Sequence, residues 1–115
     1  MTIQHIRNTA TWEPVEAIGP VGIPLSEPAC QLRMLKKVIP GKEGTDTGIW
    51  ECSPGQFRRQ IAAGEVMHVL SGRCTFQPDG EAPIAIAAGD TLYLSPNTNG
   101  VWDIRETVRK IYVLL

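Results

Sequence analysis

Two histidines, His5 and His68, and three cysteines, Cys30, Cys52 and Cys74, are the side chains of this 115-residue chain best suited to hold a transition metal. Two imidazoles cannot make a three-histidine site within one chain. The cysteines are widely spaced and form no Cys-x-x-Cys pair, so they match neither a zinc site nor a disulfide framework. They read as reduced thiols, with Cys52 and Cys74 as small core residues of strand-like runs. Eleven Lys and Arg against twelve Asp and Glu leave a net charge of −1. Arg7, Lys36-Lys37 and Arg58-Arg59 are too sparse for a nucleic-acid surface.

The elements that must position any site are short. Hydrophobic residues make up 43% and charged residues 20%, a globular composition sized for one domain. Pro14, Pro20, Pro24 and Pro28, with Gly19 and Gly22, exclude a long helix or a central strand from residues 1–28. This stretch reads as an extended arm. Its apolar residues (Trp12, Val15, Ile18, Val21, Ile23, Leu25) predict that it packs on the body or on a partner subunit. Strands are predicted at 30–39, 48–53, 57–62, 65–70, 73–77, 84–87, 91–95, 101–105 and 108–115, separated by turns such as Ser53-Pro54-Gly55, Pro78-Asp79-Gly80 and Ala88-Gly89-Asp90. Asp90 is expected to bond local backbone N–H groups. The expected fold class is all-β, a sandwich or barrel spanning 29–115 behind the arm. No apolar run is long enough to cross a membrane as a helix, and the start, Met1-Thr2-Ile3-Gln4-His5, lacks the apolar core of a signal peptide. The cytoplasm is therefore the expected compartment.

Glu65-x6-Gly72, a 16-residue gap, Gly89-Asp90 and the turn Ser95-Pro96-Asn97 together resemble the two motifs of the cupin superfamily. The segments Trp50-Glu51-Cys52-Ser53-Pro54-Gly55, Gly100-Val101-Trp102-Asp103 and Arg109-Lys110-Ile111-Tyr112 resemble the subgroup that includes the cupin domains of (S)-ureidoglycine aminohydrolase and of ethanolamine-utilisation proteins. The resemblance covers about residues 29–115 and implies a jelly-roll (double-stranded β-helix) barrel. It also implies a divalent-metal site made of a His-x-His pair, the motif-one Glu and a motif-two His. Here the carboxylate is present as Glu65. The His-x-His pair falls on Arg58 and Gln60 or on Arg59 and Ile61, and the motif-two His falls on Gly100. The expectation is a barrel without the usual metal and with no other cofactor.

Alternation from Glu65 puts Met67 and Val69 on its face, the face that the resemblance turns toward the cavity, and His68 on the outer face. A carboxylate in that cavity must be paired, hydrogen-bonded or protonated, and Arg59 is its nearest candidate partner along the chain. Trp102 shares the parity of the absent motif-two His. Lys110 and Tyr112 share one face of the last strand, and Ile111, Val113 and Leu115 the other. Hydrophobicity makes the latter the core face, whereas the subgroup's Lys-x-Tyr segment keeps the former in the site. Glu51 is expected opposite Trp50 and solvated. The candidate ligand-binding set is Trp50, Arg59, Glu65, Met67, Trp102, Lys110 and Tyr112, with Glu65 as the candidate catalytic residue. Each has a plainer reading: Glu65 as a structural partner of Arg59, Trp50 and Trp102 as core filling, Lys110 and Tyr112 as a surface pair.

Three functions fit these residues. One is a metal-free cupin binding a small polar metabolite. The second is acid–base chemistry on a nitrogenous or carbonyl compound, of the ureidoglycine-aminohydrolase kind, with Glu65 as acid or base. The third is an assembly role as a homodimer that uses the arm and the sheet faces.

Overall fold

A computed structural model describes residues 3–115. Eight strands account for the fold: β1 (Glu16–Pro20), β2 (Gln31–Lys36), β3 (Asp46–Cys52), β4 (Gly55–Arg59), β5 (Glu65–Pro78), β6 (Ile84–Ala87), β7 (Thr91–Leu94) and β8 (Gly100–Leu114). The helical content of the described residues is a single 3-10 turn at Thr9–Thr11. All pairings are antiparallel, in the order β1-β2-β3-β8-β5-β6, with β4 on β8 and β7 on β5.

Two long strands make this one barrel. The first half of β8 runs between β4 and the second half of β5, and its second half runs between β3 and the first half of β5. The segments 65–70 and 73–77, predicted as separate strands, are therefore one strand bent at Ser71–Arg73, and 101–105 and 108–115 are likewise joined. Gly72 makes that bend possible. Its φ of +90° is a conformation other residues resist, and a Cβ there would lie 2.1 Å from the Thr107 carbonyl oxygen.

The two halves close on a single core. Leu32, Met34, Trp50, Met67, Val69 and Tyr112 from one side meet Phe57, Cys74, Phe76, Ile86, Trp102 and Ile104 from the other. Trp102 packs on Phe76 with ring centroids 4.6 Å apart.

Two readings from the sequence are corrected, the inward face of the last strand and the solvation of Glu51. In β8 the inward residues are Trp102, Ile104, Val108, Lys110 and Tyr112, while Ile111 and Leu115 are exposed and Val113 is half-buried. The sequence of the last strand by itself makes Ile111, Val113 and Leu115 the core face. The unbroken strand carries the parity of Trp102 through to Tyr112, and buried partners accept the lysine. Glu51 is not solvated. Its carboxylate takes Arg33 Nη1 at 2.8 Å and Arg109 Nη2 at 2.7 Å, beneath the N-terminal segment. Arg109, itself 2% exposed, also donates to the carbonyls of Thr9 and Trp12. This outer network holds the arm against the barrel.

Residues 15–25 cross the open side of the barrel. β1 pairs with β2; then the Leu25 N–H donates to the Gln56 carbonyl (2.9 Å) and the Arg58 N–H to the Ile23 carbonyl (3.0 Å). Proline placement agrees with this edge position: Pro20 ends β1, and Pro24 forms one isolated bridge to Phe57.

Candidate functional site

Where the arm crosses, a cavity of about 390 Å³ enters the barrel. Its wall includes Val21, Gly22 and Ile23 of the arm, Leu32 and Met34 of β2, Trp50 of β3, Phe57 of β4 and Trp102 of β8. Trp50 and Phe57 touch across it with centroids 6.2 Å apart. The wall is mostly aliphatic and aromatic, with a few polar groups converging at its floor, which is the usual make-up of a small-molecule pocket.

Three charges meet at that floor. Glu65, the first residue of β5, is 3% exposed. Its Oε1 accepts from Arg59 Nη2 at 2.9 Å and its Oε2 from Lys110 Nζ at 3.0 Å. Arg59 is the last residue of β4, and its other terminal nitrogen donates to the Thr98 carbonyl. Of the adjacent arginines it is Arg59 that is buried, because it shares the parity of Phe57; Arg58 is paired with Asp79 at the more exposed edge of the same wall. Lys110 Nζ lies 4.4 Å from the Trp50 ring centroid and 5.6 Å from that of Trp102, with Met67 Sδ 3.7 Å away. Indole faces attract an ammonium group through the ring quadrupole. Burial pushes the Lys110 pKa down, and Glu65 opposes that shift.

A second polar group stands beside this floor. The Tyr112 hydroxyl donates to Asp46 Oδ1 at 2.9 Å, and Asp46 also faces Lys36 at 3.6 Å. Burial, followed by the Asp46 carboxylate, raises the phenol pKa.

Six of the seven candidate ligand-binding residues line the cavity: Trp50, Arg59, Glu65, Trp102, Lys110 and Tyr112. Met67 does not. It is 1% exposed and packs underneath Lys110. Lys110 and Tyr112, whose plainer reading was a surface pair, are instead buried, 7% and 4% exposed. His68 is on the outer face, bonded to Thr91 Oγ1. Sequence reasoning missed Asp46, Phe57, Met34 and the arm wall. The parity of Phe57 with Arg59 was the available signal for one of them; Asp46 becomes visible only when β3 is set beside Tyr112.

Residues 41–112, more than half of the chain, match the EutQ-like cupin domain family. The chain is a EutQ-like cupin. Solved structures agree on the fold. A protein of unknown function from Pseudomonas syringae pv. tomato superposes with a TM-score of 0.75 at 21% identity, covering 88% of this cupin and 44% of that chain. This cupin thus spans less than half the length of that neighbour. The EutQ protein of Clostridium difficile gives 0.65 at 16% identity, covering 82% and 79%. A putative ethanolamine utilization protein Q from Salmonella typhimurium gives 0.62 at 20% identity, covering 75% and 68%. No curated protein is similar enough in sequence to count as a relative. In the described residues no helix is long and apolar enough to cross a membrane.

The divalent metal implied by the superfamily does not fit the residues of this cupin. Among the described residues no three His, Cys, Asp or Glu side chains come together. Both oxygens of Glu65 already face cations, so a metal ion there would meet Arg59 and Lys110. At Gly100, where the motif-two His would stand, a Cβ would lie 2.3 Å from the Gln77 carbonyl oxygen and 2.7 Å from Phe76 Cζ.

Proposed function

We propose that this cupin binds a small polar metabolite in the cavity above Glu65 and does so without a metal. The observation that supports this most directly is the Arg59–Glu65–Lys110 triad at the floor of an otherwise apolar cavity. Buried charges of this kind cost several kcal/mol each to desolvate, and fold stability alone is a weak reason to keep them. Recognition of a polar group is a better one. In this reading Trp50, Phe57 and Trp102 hold the body of the ligand, while Lys110, Arg59 and Tyr112 present polar atoms to it.

The test is a thermal-shift screen of metabolites on wild type beside Gly22→Trp. Gly22 lines the cavity and an added Cβ there meets nothing within 4 Å, so Trp is accepted without forcing the backbone and is expected to obstruct the mouth. A true cavity ligand raises the melting temperature of wild type and not of the plugged variant. Equal shifts in both place binding elsewhere and defeat the reading. Metal analysis after incubation with Mn, Fe, Ni or Zn checks the second half; stoichiometric retention of any of them overturns it.

A homodimer is the second reading. On the outer face, Tyr93 of β7 lies beside Val66 of β5, and Ile111 of β8 beside His68, with Tyr93 79% and Ile111 38% exposed. Sedimentation of wild type beside Tyr93→Lys tests it: a monomer in both excludes this assembly.

A further inference from the structure

The charges at the cavity floor do not balance. Arg59 and Lys110 carry two positive charges and Glu65 one negative, and all three side chains are less than a tenth exposed. The remaining ionised groups of the cavity wall already have opposite partners, Arg58 with Asp79 and Asp46 with Lys36. One positive charge is therefore left over where water is scarce, and electrostatic interactions there are strong. Lys110 has the means to use it. One of its three N–H groups is directed at Glu65, and its other close neighbours are a thioether and two indole faces, none of which carries a charge.

Resting on the binding reading above, we propose that the ligand of this cavity is a small monoanion. Its anionic group sits against Lys110, within the field of Arg59, and its apolar body lies against Trp50, Phe57 and Trp102. A carboxylate is the simplest such group, since it can accept the ammonium N–H that neither Glu65 nor Met67 Sδ takes. The assignment has a corollary in proton balance. Burial lowers the Lys110 pKa, and an arriving anion raises it again, so any fraction of neutral Lys110 takes up a proton on binding.

Matched probes test the charge alone. Benzoate, benzamide and benzylamine share a shape and differ in charge, as do butyrate, butyramide and butylamine. Calorimetric titration of each into wild type and into Lys110→Met is expected to rank carboxylate above amide above amine in wild type. In Lys110→Met, where Arg59 and Glu65 balance, the carboxylate is expected to weaken by about tenfold or more, the loss of one charge-assisted hydrogen bond. Glu65→Gln, where it folds, is expected to tighten the carboxylate, because it adds to the surplus. Equal affinities within each set, or a preference for the amine, overturn the inference and leave the cavity a binding site for another class. An unchanged carboxylate affinity in Lys110→Met overturns it too. If no probe of any charge binds in the cavity, the binding reading falls and this one falls with it.

Discussion

Glu65→Gln and Lys110→Met remove opposite members of one buried triad, and their costs should differ sharply. Gln matches Glu in volume and keeps one acceptor, so Arg59 retains a partner. The new amide N–H group, however, replaces the oxygen that received Lys110 Nζ at 3.0 Å. Two buried cations are left without a counter-charge. Breaking a buried pair in this way costs about 3–5 kcal/mol, which for a domain of this size lowers the melting temperature by about 10–20 °C. Lys110→Met instead removes the surplus charge and leaves Arg59 on Glu65 at 2.9 Å. Methionine fills the space between Trp50, Trp102 and Met67 with favourable sulfur–aromatic contacts. Its expected cost is about 1 kcal/mol or less. Urea titration followed by far-ultraviolet circular dichroism gives both values. The pH dependence supplies a sign. The folded-state pKa of Lys110 is depressed below its unfolded value of about 10.4. Between those two values the unfolded chain holds the proton that the folded chain has released, so stability rises with pH across that window. Above about pH 10 the raised Tyr112 phenol acts the other way, so the lysine contribution is read as wild type minus Lys110→Met. A Glu65→Gln cost below about 1 kcal/mol, or a Lys110→Met cost equal to it, would refute the account of the triad.

Three further outcomes follow from the same coordinates. Gly72→Ala forces a Cβ to 2.1 Å from the Thr107 oxygen and is expected to cost more than about 2 kcal/mol, whereas Gly80→Ala, with φ +77° and open space, costs only about 1 kcal/mol of backbone strain; similar values in urea titration contradict this. Burial raises the pKa of Cys30 and Cys52, and that of Cys74 up to about 11, so native protein at pH 8 should resist iodoacetamide and yield three labelled thiols only in denaturant, as counted by mass spectrometry. Arg109→Gln removes charge-assisted bonds to the Thr9 and Trp12 carbonyls and to Glu51, and chymotrypsin should then cut after Trp12 several-fold faster, an effect absent if other contacts hold the arm.

Turn residues and alternation were enough to read an all-β sandwich or barrel, and the resemblance to cupins chose the barrel. Pro78-Asp79-Gly80 and Gly89-Asp90 lie at the turns of the structure, and the Asp90 carboxylate accepts the Ala87 N–H. Glu65, Arg59 and Trp102 were also legible, since they stand where the family's motif places them or one short connection away. The continuity of β5 and β8 was not. The glycine that permits the bulge, Gly72, marks a turn just as well, and Ser71-Gly72 and Glu106-Thr107 read as breaks between strands.

What the sequence determined by itself was the class of fold, the shortage of imidazoles and the single carboxylate of motif one. The first two depend on composition and local backbone preference, and the third on the resemblance to the cupin motifs. The fate of Lys110 was decided only in three dimensions. A lysine at an alternating position next to Ile111 and Val113 reads as a surface residue, because burial of an ammonium group is costly. It is buried here because β8 carries it under Trp50 and opposite Glu65, which begins a strand 45 residues earlier. Glu51 is the same lesson on the outer face: two arginines from other strands, beneath the N-terminal segment, turn an expected solvated carboxylate into a doubly paired, largely covered one. Charge burial depends on partners brought from afar, and only tertiary structure supplies them.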